Sequence, residues 1–82
     1  MKKIVIYSKD NCPYCTQAEK LASQLAARDK SLQWFILKLG YDYTTNEWKM
    51  LFPEAKTYPQ IVVDGENIGG WTEFQELVMN QF

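Results

Sequence analysis

The feature that most constrains the fold is a change of apolar period around Cys12-Pro13-Tyr14-Cys15. Residues 2–7 form a β-branched run suited to a buried strand, and the breaker-rich Ser8-Lys9-Asp10-Asn11 follows it. From Cys15 onward, Ala18, Ala22 and Leu25 recur at three- and four-residue spacing, joined by Leu21 and Ala26, which is the pattern of a helix with one buried face. That helix is expected to run to about Ala27. A polar turn, Arg28-Asp29-Lys30-Ser31, leads into a second apolar run of strand length at residues 33–39, ended by Gly40. A strand, a helix and a strand joined in this way imply a right-handed crossover between parallel strands.

The second half adds a different geometry. Thr44-x-x-Glu47 has the form of a capping box and precedes Trp48, Leu51 and Phe52 at helical spacing, with Pro53 closing a short helix. Ile61-Val62-Val63 and Asn67-Ile68 flank Asp64-Gly65-Glu66, and Asp-Gly between two apolar runs signals an antiparallel hairpin. After Gly69-Gly70, Thr72-x-x-Gln75 is expected to open a last helix that packs through Phe74, Leu77 and Val78. The order β-α-β-α-β-β-α predicts an α/β fold in which a four-stranded mixed sheet is covered by three helices. Trp34, Phe35, Trp48 and Phe52 are expected in its core.

Eighty-two residues leave room for a single domain, spanning 1–82. Nine basic and ten acidic side chains give a net charge of −1, with no basic cluster of the kind that phosphate binding requires, so no nucleic-acid partner is expected. The absence of histidine excludes Ser-His and Cys-His catalytic pairs and histidine-ligated zinc. The apolar stretch Ile4-Val5-Ile6-Tyr7, bounded by lysines, is too short for a signal-peptide core or a membrane span, which points to a cytoplasmic protein.

Two cysteines three positions apart would close too small a loop to serve as a structural staple. Two thiols also cannot complete a tetrahedral zinc site within one chain that lacks histidine, so no metal is expected there. Their spacing suits reversible disulfide chemistry, because residues i and i+3 share one face of a helix at a separation that a disulfide tolerates. With Cys12 as N-cap and Pro13 at the first helical position, the N–H groups of Tyr14 and Cys15 would point back at the Cys12 sulfur. Those donors, the helix dipole and Lys9 nearby favour a Cys12 thiolate as nucleophile. Cys15, at the head of the apolar stripe, would be the buried resolving thiol.

Three motifs, Cys12-Pro13-Tyr14-Cys15, Thr57-Tyr58-Pro59-Gln60 and residues 68–74 (Ile-Gly-Gly-Trp-Thr-Glu-Phe), together resemble the glutaredoxin family along nearly the whole chain, in particular its small dithiol members from bacteria and phages. The resemblance implies a thioredoxin fold, glutathione as co-substrate with no tightly bound cofactor, and a cis peptide at Tyr58-Pro59 facing the cysteines. It further implies that backbone groups of Tyr58 pair with the cysteinyl unit of glutathione as an added strand. The last helix, at Trp71 and Thr72, would receive the γ-glutamyl carboxylate, Glu73 the ammonium and Lys9 the glycyl carboxylate. Gly70 would allow close approach, while Tyr14 and Thr57 line the groove. The family usually carries an aliphatic residue before this proline, so Tyr58 is a departure.

The expected function is therefore glutathione-dependent reduction of protein disulfides and glutathione mixed disulfides. Ribonucleotide reductase is the client that the resemblance implies, and nothing in the sequence demands more than a monomer. Two alternatives are a glutathione-ligated [2Fe-2S] carrier, which would draw four thiolates from two chains and two glutathiones, and a redoxin reduced directly by thioredoxin reductase.

Overall fold

The computed structural model describes residues 1–81. Its elements are β1 (Lys3–Ser8), α1 (Pro13–Arg28), β2 (Gln33–Lys38), α2 (Thr45–Leu51), β3 (Gln60–Val63), β4 (Glu66–Gly69) and α3 (Trp71–Gln81). The strands lie in the order β2-β1-β3-β4. β1 runs parallel to β2, with Lys3 opposite Gln33, and antiparallel to β3, with Ile4 opposite Val63. β4 completes the antiparallel hairpin with β3. This is the mixed sheet of a thioredoxin fold.

Alternation along the strands sends side chains to two faces with different cover. Ile4, Ile6, Ile61 and Val63 meet Ala18, Ala22 and Leu25 of α1 and Phe74 of α3 in the main core. On the other face, Tyr7, Leu37 and Val62 pack against Tyr43, Trp48 and Phe52. Local chemistry fixes each element. Thr44 and Glu47 form both bonds of the capping box on α2, at 3.1 Å and 2.9 Å. Asp64 and Gly65 have φ of 52° and 83°, as a type I′ hairpin requires at both central positions. The Asp64 carboxylate also accepts the N–H groups of Lys2 and Lys3, at 2.8 Å and 2.9 Å, which holds the start of β1 against the hairpin.

Two expectations need correction. Phe35 is not in the core but 47% exposed. Strand alternation places it on the α2 side, where a seven-residue helix covers only the Tyr7, Leu37 and Val62 end, and the Lys3 ammonium sits 5.5 Å over its ring instead. Trp34 packs partly buried on the main core, whereas Trp48 and Phe52 are buried as expected. Thr72 does not cap α3. The helix begins at Trp71, and the first intrahelical acceptor is the Gly70 carbonyl, bonded to Phe74 N at 3.0 Å, so Gly70 is the N-cap. Glu73 at N3 returns to it, its Oε1 accepting Gly70 N–H at 2.6 Å.

Candidate functional site

The loop from β1 to α1 is held at its base by Ser8, which is fully buried. The Ser8 carbonyl accepts the Tyr43 hydroxyl at 2.5 Å and Leu39 N–H at 3.0 Å, and Ser8 Oγ donates to Glu19 Oε2 at 3.1 Å. Burial pushes the Tyr43 phenol above its ordinary range, with the neighbouring Tyr58 phenol adding to the effect, so the donor keeps its proton. Asn11, in the left-handed region at φ 56°, turns the chain into α1.

Cys12 is the N-cap of α1 and Pro13 its first residue. Of the two backbone donors expected at the Cys12 sulfur, Cys15 supplies the hydrogen bond, at 3.2 Å. The cysteines are joined as a disulfide with Cα atoms 5.2 Å apart. Cys15 is 1% exposed beneath the helix, while Cys12 is only half-buried. One sulfur is therefore open to attack and to attacking, and the other lies behind it. Reduction of the bridge would leave the outer sulfur at a helix N-terminus facing an N–H donor, both of which favour the thiolate.

The Tyr58-Pro59 peptide is cis. Gln60 steadies this loop by donating Nε2–H to the Thr57 carbonyl at 3.0 Å. A groove of about 470 Å³ is lined by Tyr14, Thr57, Tyr58, Gly70, Trp71, Thr72, Glu73 and Gln75. Of the residues named from the sequence, Tyr14, Thr57, Tyr58, Gly70, Trp71, Thr72 and Glu73 line this groove, whereas Cys12, Cys15, Pro59 and Lys9 do not. Pro59 is buried behind the wall, its carbonyl oxygen 3.3 Å from where a Cβ on Gly70 would stand. Lys9 does not line the groove; its ammonium lies over the outer face of Tyr58, 5.1 Å from the ring centroid. Gln75, which the Thr72-x-x-Gln75 pattern marks as a capping partner, instead forms part of the wall. Trp71 and Thr72 are the first two residues of α3, so their N–H groups lack intrahelical acceptors.

Among the described residues, no group of three or more His, Cys, Asp or Glu side chains is placed to hold a metal ion. No helix among them is long and apolar enough to cross a membrane. A thioredoxin fold carrying a Cys-x-x-Cys disulfide at a helix N-terminus, one sulfur open and one buried, defines a thiol-disulfide oxidoreductase.

Comparison with known proteins narrows that class. A family model for glutaredoxin matches residues 4–68. The chain is 32% identical to a glutaredoxin of Haemophilus influenzae over 96% of this chain and 93% of that one, and 33% identical to glutaredoxin 1 of Escherichia coli over 85% of each. Among solved structures, oxidised Escherichia coli glutaredoxin superposes with a TM-score of 0.81 at 32% identity, covering 98% of this chain and 96% of that one. The reduced form gives 0.80. The chain belongs to the glutaredoxin family.

Proposed function

We propose that this glutaredoxin reduces protein disulfides and glutathione mixed disulfides, with glutathione as its reductant. The observation that carries the reading is the groove in which Tyr14, between the two cysteines, meets Thr57, Tyr58 and residues 70–73. It offers the chemistry that a glutathionyl unit needs. The Tyr58 backbone provides strand-like pairing for the cysteinyl unit, the start of α3 provides N–H donors for the γ-glutamyl carboxylate, and the second carboxylate oxygen of Glu73 remains for the ammonium. Lys9 supplies a cation at the rim for the glycyl carboxylate.

In the reaction, the Cys12 thiolate attacks one sulfur of the substrate disulfide, and the other sulfur leaves as a thiolate that takes up a proton. Where the substrate is a protein disulfide, Cys15 then attacks the Cys12 sulfur, expels the second substrate thiol and closes the Cys12-Cys15 bridge. Two glutathione thiols restore the dithiol and leave as glutathione disulfide, so two electrons pass at each stage. A disulfide of ribonucleotide reductase is the client that the family resemblance suggests. The protein works as a cytoplasmic monomer on this reading.

The test is a coupled assay with glutathione, glutathione reductase and NADPH on a small glutathione mixed disulfide, run beside one in which thioredoxin reductase replaces the glutathione system. Turnover with glutathione alone is expected; turnover with thioredoxin reductase alone would remove glutathione from the mechanism. Cys12→Ser should abolish activity. Cys15→Ser should keep deglutathionylation and lose protein-disulfide reduction, and a Cys15→Ser protein inactive in both assays would overturn the division of roles.

A further inference from the structure

Lys9 has a long, exposed side chain at the rim of the site, and its ammonium lies over an aromatic ring. Among the described residues it makes no ion pair. The obvious candidate, Asp10, is turned away and bound to Lys38 Nζ at 3.0 Å. What Lys9 has instead is the face of Tyr58, 5.1 Å away. That ring is itself backed by Trp48, with centroids 4.6 Å apart and planes within 17° of parallel. Trp48 is buried and packs on Phe52, so the stack is seated in the second core and Tyr58 has little freedom to swing away. The main chain just before Lys9 is equally fixed, through the bonds to the Ser8 carbonyl. Ammonium, phenol and indole thus form three layers that run from solvent into the core beneath α2.

The geometry points to Tyr58 as a positioning residue: its ring, backed by Trp48, holds the Lys9 ammonium at the rim of the site, so that its charge acts on the Cys12 thiol three residues along the chain. This rests on the reading of Cys12 as nucleophile and Lys9 as rim cation. An aliphatic side chain at this position would offer no π face, and the lysine would spread over its rotamers in water. The charged neighbours leave Lys9 as the cation that matters there. Asp10 is neutralised by Lys38, and Glu19 on α1 is engaged with Ser8 Oγ. On the α2 side, the buried Tyr43 phenol stays protonated, and the remaining field at Cys12 is that of the helix N-terminus.

Because the chain has only two cysteines, reduced protein carrying Cys15→Ser reports Cys12 alone through the rise of thiolate ultraviolet absorbance with pH. In that background, Lys9→Met should raise the Cys12 pKa, lowering the thiolate fraction near neutrality by about two- to fivefold. Tyr58→Leu should reproduce that change, the two together should add nothing, and Tyr58→Phe, which keeps the ring, should restore the parent titration. A Tyr58→Leu protein that titrates like its parent, a Lys9→Met protein that does so, or additive effects would each overturn the proposal. The wild-type chain provides a check independent of folding in the variants. The ε-methylene protons of Lys9 should be shifted upfield by the Tyr58 ring current relative to the other lysines, and ordinary shifts there would refute the stack. Neither readout contains glutathione, so loss of glutathione turnover in the coupled assay and loss of this coupling are separate results.

Discussion

A methyl group at Gly69 has no free space to occupy. The residue sits at φ +113°, and a Cβ there would stand 2.8 Å from both Cγ and Oε1 of Glu73. Gly69→Ala should therefore combine a backbone strained by about 1–3 kcal/mol with displacement of the Glu73 carboxylate from Gly70 N–H. A lower urea midpoint with unchanged slope is the expected result, and wild-type stability would mean that the crowding is relieved without cost. The need for glycine was legible in the sequence, but its cause was not. Gly69-Gly70 suggested backbone brought close to a ligand, whereas the atoms that crowd Gly69 belong to the protein's own Glu73, folded back by the first turn of α3. Cys12 and Cys15 were more legible, because a thiol spacing and a proline at a helix start are local properties. That Cys15 would be 1% exposed followed from its place at the head of the Ala18, Ala22 and Leu25 stripe.

Among the elements, the two helix starts in the second half show what a capping pattern can and cannot say. Thr44-x-x-Glu47 is legible as a capping box because both partners carry side chains that declare the motif. At α3 the same rule selected Thr72-x-x-Gln75, while the helix in fact starts from Gly70, whose role as N-cap has no side chain to reveal it. Glu73 caps the helix through Oε1, and in the proposed function its other oxygen, Oε2, takes the glutathione ammonium. Two substitutions separate these roles. Glu73→Gln keeps a carbonyl acceptor for Gly70 N–H and should unfold within about 0.5 kcal/mol of wild type, whereas Glu73→Ala should lose about 1 kcal/mol. Both remove the charge, so both should raise KM for a glutathione mixed disulfide by about tenfold with little change in kcat, as expected for a charge-assisted contact made in the bound state. A KM effect confined to Glu73→Ala would make Glu73 a cap and nothing more.

For the molecule as a whole, unequal cover on the two faces of the sheet decides what each aromatic contributes. α1 and α3 lie along one face and seal Ile4, Ile6, Ile61 and Phe74 completely. The short α2 and its flanking Tyr43 and Phe52 close only the end of the other face nearest the site, where they support the loops that carry Lys9 and Tyr58. The element order and the helix count followed from the order of apolar runs, but this asymmetry did not, because Phe35 and Trp34 are both apolar in sequence and only alternation against a helix of a given length separates them. Phe74→Ala empties a fully buried site and should cost about 3–5 kcal/mol. Phe35→Thr, on an edge strand and 47% exposed, replaces one strand former by another and should cost less than about 1 kcal/mol. Urea unfolding of the two variants gives the comparison directly. If Phe35→Thr proves as damaging as Phe74→Ala, the far end of this face is buried in the working protein, and the cover it needs lies beyond the three helices described here.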